Sequence, residues 1–333
     1  MTVINPPEAL IEQIRAGSRF LLSSHLSPDG DAIGSELGLV RVLRSLGKGA
    51  VIWNRDSAPK VYSAISGSAD IHVGDQPPTG YPEAFDTAIV LECPSLDRTG
   101  LQDALSQLPI LNVDHHLGNE HYGKVNWVDT SAPAVGEMIF RVARSLKVAP
   151  DAETATIFLL ALVTDTGGFR YANTTQAAFE AAAALTQEGA QPERVSEILH
   201  ESYPVSARRL LGEMLGTLKL HASGRAATAY LSQEMFVRTG AAESDTEGLI
   251  DYLRSVEGVQ AAALVRQKSD GSIKVSLRSS GPVDIERIAR SYEGGGHRNA
   301  AGFSVSHDDI DKVISTVAAQ LAESLSSFDA NSS

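Results

Sequence analysis

Several short segments concentrate side chains that can hold metal ions. Ser24-His-Leu-Ser-Pro-Asp-Gly-Asp31 carries His25, Asp29 and Asp31; Glu92 follows one apolar run, Asp114, His115 and His116 end another, and Asp165 lies beyond a third. Two carboxylates one residue apart in a glycine-containing loop can face two adjacent cations, and His25 adds a nitrogen donor. Asp31 is equally suited to capping the helix that follows, so the first motif alone leaves both readings open. Mixed carboxylate and imidazole donors suit Mn²⁺ or another borderline divalent ion, with Mg²⁺ or Co²⁺ as alternatives, better than a soft-metal site. Paired cations of that kind stabilise the attacking and leaving oxygens of an in-line displacement at phosphorus and activate water near neutral pH. Such chemistry needs no nucleophilic Ser or Cys, and none sits in a recognisable setting.

These residues depend on the elements that carry them. Apolar runs at 19–24, 50–54, 87–91 and 110–113 alternate with helical patterns, the signature of βαβ units and a mainly parallel sheet flanked by helices. In an open parallel sheet the carboxyl ends of the strands form the ligand-binding edge, so the separate segments should converge there. Helices are expected over 31–46, 151–163 and 175–187, ending near Gly47, Asp165 and Gly189. This first domain is placed at 1–189. A helical connector, broken by Pro192 and Pro204, follows at 190–216. A smaller α/β domain with a mixed sheet is expected at 217–325. It contains an extended run at 226–231, a hairpin from 261–267 to 272–278 and a helix at 284–292, and 326–333 reads as a flexible tail.

The second domain carries its own polar groups. Arg278, beside Ser280, can grip a phosphate bidentately, Gly294, Gly295 and Gly296 expose backbone N–H groups, and His297 adds a donor or a stacking ring. Arg298 follows, where phosphate contact and plain surface charge are equally apt.

The chain has 333 residues, 43% hydrophobic and 21% charged, with a net charge of −13. That charge argues against a protein coating long nucleic acid through a broad basic face, whereas small anionic substrates need only local positive charge. No apolar run approaches the roughly 18 residues of a membrane span, and the N-terminus lacks a secretory pattern, so a cytoplasmic protein is expected. The single cysteine, Cys93, cannot form an internal disulfide and reads as a small buried residue.

His25-x3-Asp29-x-Asp31, Asp114-His115-His116 and Asp165 together resemble the DHH phosphoesterase superfamily, and Gly294-Gly-Gly-His297-Arg-Asn-Ala-Ala-Gly302 resembles its accompanying DHHA1 domain. The resemblance spans about residues 18–305, in the family's order. Standalone chains of this arrangement are similar to bacterial enzymes that degrade short oligoribonucleotides and dephosphorylate 3′,5′-bisphosphate nucleotides. The resemblance implies that His25, Asp29 and the acid at 92 hold one metal ion, and that Asp31, the same acid, His115 and Asp165 hold the other. His116 would lie beside the substrate as hydrogen-bond donor or leaving-group acid, and Asp114 would orient the imidazoles. The family usually has aspartate where this chain has Glu92, which adds a methylene to the bridging position, and often glycine where it has Glu293. Expected partners are short RNA oligonucleotides or small nucleotides, bound by a monomer or homodimer, with neither membrane nor long duplex. Alternatives are a phosphodiesterase of cyclic or linear dinucleotides and, ranked lower, a nucleotide-binding regulator with a metal centre impaired at Glu92.

Overall fold

The computed structural model describes residues 4–201, 203–246, 248–281, 283–306 and 309–331. The chain divides into two compact units, Met1–Ser202 and Tyr203–Ser333, each α/β.

The first unit runs α1 (Glu8–Ala16), β1 (Arg19–Ser23), α2 (Gly30–Ser45), β2 (Gly49–Asn54), β3 (His72–Val73), β4 (Thr87–Leu91), α3 (Gln102–Leu105), β5 (Ile110–Asp114), β6 (Val125–Val128), α4 (Val135–Ser145), α5 (Ala152–Asp165), α6 (Gln176–Gln187) and α7 (Pro192–Ser196). Its sheet has the order β3-β2-β1-β4-β5-β6, and every neighbouring pair is parallel. The central strands β4 and β5 are buried along their whole length, which is why they read as largely apolar runs, broken in β5 by the buried Asn112. The chain order reverses between β1 and β4, the topological switch point at which such sheets leave a crevice beyond the strand ends. Sequence reading found β1, β2, β4 and β5 within a residue or so. It did not pick out the two-residue β3, the four-residue β6, or helices α1 and α4.

Two small residues decide how the helices pack. A side chain at Gly34 would meet Ala161 and the Ile157 carbonyl, and one at Gly38 would strike the Phe158 ring. Their absence lets α2 and α5 lie close, and the contacts Gly30–Thr164, Gly34–Ala161 and Gly38–Phe158 show that they run antiparallel. The start of α2 therefore lies against the end of α5.

Glu36, on α2, is fully buried and accepts a hydrogen bond from Asn54 Nδ2 at 2.8 Å, while Asn54 Oδ1 accepts from the backbone of Ser24 at 3.2 Å. Burial pushes its carboxyl up to about 8, from an ordinary 4.5, against the pull of the Asn54 bond. The folded protein thus holds this proton more tightly than the unfolded chain. That stabilisation is complete below the unfolded value and is lost as pH rises through the folded one. Glu36→Gln keeps an acceptor for Asn54 and cannot ionise. In thermal melts with EDTA it is expected to gain on the wild type as pH rises from about 5 to about 9, by on the order of a few kcal/mol at the alkaline end. A stability difference independent of pH would refute this account.

The second unit runs α8 (Val205–Gly216), β7 (Lys219–His221), β8 (Ala226–Leu231), α9 (Gln233–Thr239), α10 (Leu249–Arg254), β9 (Ala261–Gln267), β10 (Ile273–Ser279), α11 (Glu286–Arg290), β11 (Gly295–His297), β12 (Ala300–Val305) and α12 (Ile310–Asn331). Its sheet, β11-β12-β10-β9-β8-β7, is mixed: β8 and β9 are parallel and the other pairs antiparallel. Alternation along β9 sends Ala261, Ala263 and Val265 into one core with Val317 and Leu321 of α12, and Ala262 and Leu264 into another with Leu210 and Phe236. Among the described residues no helix is long and apolar enough to cross a membrane.

Candidate metal centre

Because every strand of the first sheet points the same way, the segments after β1, β4 and β5 meet at one edge. Two donor groups form there, each with ligand atoms within 4.8 Å of one another: Asp31, Glu92, His115 and Asp165, and Glu92, His115 and His116. Glu92 belongs to both. Its Oε1 lies 3.0 Å from His115 Nε2 and 3.7 Å from His116 Nδ1, and its Oε2 lies 3.5 Å from His25 Nε2. Glu92 also sits at φ 54°, in the left-handed region rarely used by residues with a side chain, directly where β4 ends.

The surrounding backbone orients these donors. Asp29 caps α2, its Oδ1 accepting from Asp31 N and Ala32 N at 3.0 Å each. Asp31 instead reaches α4, accepting from Val135 N at 2.6 Å and Gly136 N at 2.8 Å, with Ser35 Oγ at 3.0 Å. The helix it serves is thus not its own, but one that begins more than a hundred residues later. His115 Nδ1 donates to the Ala132 carbonyl at 3.1 Å, which makes Nε2 the ring atom that could hold an ion. His116 Nδ1 donates to Asp114 Oδ1 at 2.8 Å, and Asp114 Oδ2 accepts from Asn119 Nδ2 at 2.7 Å. His25 Nδ1 lies 2.8 Å from its neighbour's carbonyl, Leu26 O, which directs Nε2 to Glu92.

Charge is crowded here. Burial, followed by repulsion from Asp165, pushes the Asp31 carboxyl up to about 7. Burial drives Glu92 well above the usual carboxylate range, with His115 opposing. Burial also resists charging His115, yet Asp165 and Glu92 hold its imidazole well above the ordinary value. Asp114 is held below the carboxylate range: the bonds from His116 and Asn119 outweigh its burial. Burial lowers His116 despite Asp114. Acids forced together in a low-dielectric pocket are what a divalent cation would stabilise. The donor set fits such an ion on geometry too: Glu92 Oε2 is buried and has no hydrogen-bond partner among the described residues.

Of the residues singled out from sequence, Asp31, Glu92, His115, His116 and Asp165 come together in these groups, His25 stands against Glu92, and Asp114 stands behind His116. Asp29, as placed, spends Oδ1 on the α2 cap. Sequence reading missed the residues that orient the donors: Ala132 to Gly136, Asn119 and Asn173. Asn119 and Asn173 show only as amides in turn-rich stretches, which ordinary loops share, and Ala132 to Gly136, which act through their backbone, carry no side-chain signal.

Arg278, Ser280, Gly294 to Gly296, His297 and Arg298 all lie in the second unit. Arg278 is half-buried on β10; its Nη1 donates to the Leu277 carbonyl at 3.0 Å and its Nε is buried without a hydrogen-bond partner. Ser280 N donates to the Gln260 carbonyl at 2.8 Å. A side chain at Gly294 would collide with the Gly302 carbonyl and Phe303, so glycine is required there by the approach of the backbone to β12. Glu293 is exposed and adopts φ 59°, a conformation that favours glycine.

Residues 19–162 match the DHH family, N-terminal domain, and residues 224–323 match the DHHA1 domain. The chain is 34% identical to the bifunctional oligoribonuclease and PAP phosphatase NrnA of Thermus thermophilus, over 91% of this chain and 89% of that protein. It is 28% identical to the Bacillus subtilis protein of the same name, over 92% of this chain and 95% of the relative. Among solved structures, an exopolyphosphatase-related protein from Bacteroides fragilis superposes with a TM-score of 0.85 at 26% identity, covering 97% of this chain and 98% of that one.

Proposed function

This chain belongs to the DHH family and carries that family's DHHA1 domain, and from that premise we propose that it hydrolyses short oligoribonucleotides to mononucleotides and 3′-phosphoadenosine 5′-phosphate to AMP. The family is one of metal-dependent phosphoesterases. The observation that carries the reading is the buried Glu92 carboxylate, common to both donor groups, with one oxygen that has no hydrogen-bond partner among the described residues.

In this proposal Asp31, Glu92, His115 and Asp165 hold one Mn²⁺, and Glu92 with His25 and Asp29 holds a second. When bound, the pair supplies Lewis acidity at the phosphoryl oxygens and a water activated near neutral pH. The chain's own residues do the rest. Asp114 fixes the proton of His116 on Nδ1, so that Nε2 is the atom that exchanges a proton with the leaving oxygen. Arg278, Ser280, Gly294 to Gly296, His297 and Arg298 bind the remaining phosphates and base of the nucleotide. The proposed setting is the cytoplasm.

The test is a Mn²⁺ assay comparing labelled di- to pentaribonucleotides, 3′-phosphoadenosine 5′-phosphate, cyclic di-AMP and long single-stranded DNA, with Asp31→Ala and His115→Ala alongside. The linear ribonucleotides and the bisphosphate should be hydrolysed, EDTA should stop both reactions, and both variants should be inactive. Preference for cyclic di-AMP would reassign the substrate, and full activity in both variants would remove the metal centre itself.

A further inference from the structure

We propose that Asn173 is a positioning residue that sets the affinity of the Asp31, Glu92, His115 and Asp165 group for its divalent ion; the inference rests on the metal-centre reading above. Asn173 lies in the loop between α5 and α6. Its Nδ2 shares two hydrogens among three acceptors, the Asp165 carboxylate at 2.9 Å, the Asp165 carbonyl at 3.1 Å and the Pro133 carbonyl at 3.1 Å. Pro133 belongs to the short stretch that orients two other donors. One residue before it, the Ala132 carbonyl accepts from His115 Nδ1 at 3.1 Å; just after it, Val135 N and Gly136 N hold the Asp31 carboxylate at 2.6 and 2.8 Å. One amide therefore ties the segment that aims His115 and Asp31 to the helix end that carries Asp165.

The orientation of that amide follows from its partners. All three are oxygen acceptors, so the NH₂ must face them and the carbonyl must face away; Asn173 Oδ1 is buried without a hydrogen-bond partner. The consequence concerns metal affinity. The four donors stand at the ends of four separate elements, α2, β4, β5 and α5, and a cation binds them tightly only if they are held at their mutual distances before it arrives. Loss of such an outer hydrogen bond typically weakens metal binding about ten- to a hundredfold.

The experiment uses the full chain, stripped of metal and titrated with Mn²⁺, with free Mn²⁺ read by electron paramagnetic resonance. Wild type, Asn173→Ala and Asn173→Leu are compared, and each is also melted in EDTA. The leucine variant keeps the number and branching of the side-chain atoms, so it decides the matter if the alanine variant does not fold. The expected result is two ions bound by the wild type and, in the variants, one of the two weakened about ten- to a hundredfold, with dinucleotide hydrolysis returning as Mn²⁺ is raised. Wild-type affinity for both ions in Asn173→Leu would overturn the proposal while leaving the metal centre standing. Equal weakening of both ions with a lowered melting temperature in EDTA would assign Asn173 to the fold and overturn it as well. A wild type that binds no Mn²⁺ would bring down the metal-centre reading, and this inference with it.

Discussion

Glu92→Ala is expected to lower kcat/KM for a linear dinucleotide by at least about 10³-fold, since several kcal/mol of transition-state stabilisation rests on the metal centre and each 1.4 kcal/mol or so is worth tenfold. Among the described residues no other carboxylate serves both donor groups. Its removal leaves His115 Nε2 without its 3.0 Å partner and takes away the oxygen facing His25. Raising Mn²⁺ should restore little, because the loss touches both ions. Glu92→Asp tests the extra methylene separately. The shorter acid keeps the charge and withdraws it from His115, so activity should stay within about tenfold of wild type, on the scale of a disturbed rather than a deleted ligand. Stopped assays over a Mn²⁺ series separate the outcomes. Near-normal activity in Glu92→Ala would show that the reaction does not pass through this carboxylate, and a silent wild type made active by Glu92→Asp would favour an impaired regulator.

The second large effect is expected at His116. His116→Ala should reduce kcat on a dinucleotide by about 10² to 10⁴-fold, the usual contribution of a positioned acid or base, with little change in Mn²⁺ affinity. The discriminating measurement is the leaving group. A nucleoside alkoxide needs a proton as it departs, and p-nitrophenolate does not. The deficit should therefore shrink to within about tenfold on a p-nitrophenyl phosphodiester of a nucleotide. An equal deficit on both substrates would make His116 a ligand or a binding group instead. Its place in the donor group with Glu92 and His115 makes that a real alternative, and the Mn²⁺ titration of the same variant decides it. Asn119→Ala offers a milder version of the same change, since Asn119 steadies the Asp114 carboxylate that holds the His116 ring.

Much of this was legible in the residues. His25, Asp31, Glu92, Asp114, His115, His116 and Asp165 announce themselves because acids and imidazoles at the ends of apolar runs have few other reasons to recur. The strands that carry them are buried on both faces, so their local composition marks them out. What local composition could not show is which distant partner each polar atom meets. Asp31 looks like the cap of its own helix and proves to hold the start of α4, while Asp29 takes the cap. Asn173 looks like any turn residue, and Gly34 and Gly38 like weak points in a helix, until α5 is packed against α2.

The metal centre with which the sequence reading began thus divides along a physical line. The sequence by itself determined the kinds of donor, the elements at whose ends they stand and the parallel sheet that gathers those ends, since each depends on side-chain chemistry and on patterns within about twenty residues. Only the tertiary structure decided that Glu92 is shared by both donor groups, that the Ala132 to Gly136 backbone bonds His115 and Asp31, and that Asn173 ties that stretch to Asp165. Those are distances between segments far apart in the chain, set by strand order and by the antiparallel packing of α2 on α5, and no local pattern encodes them.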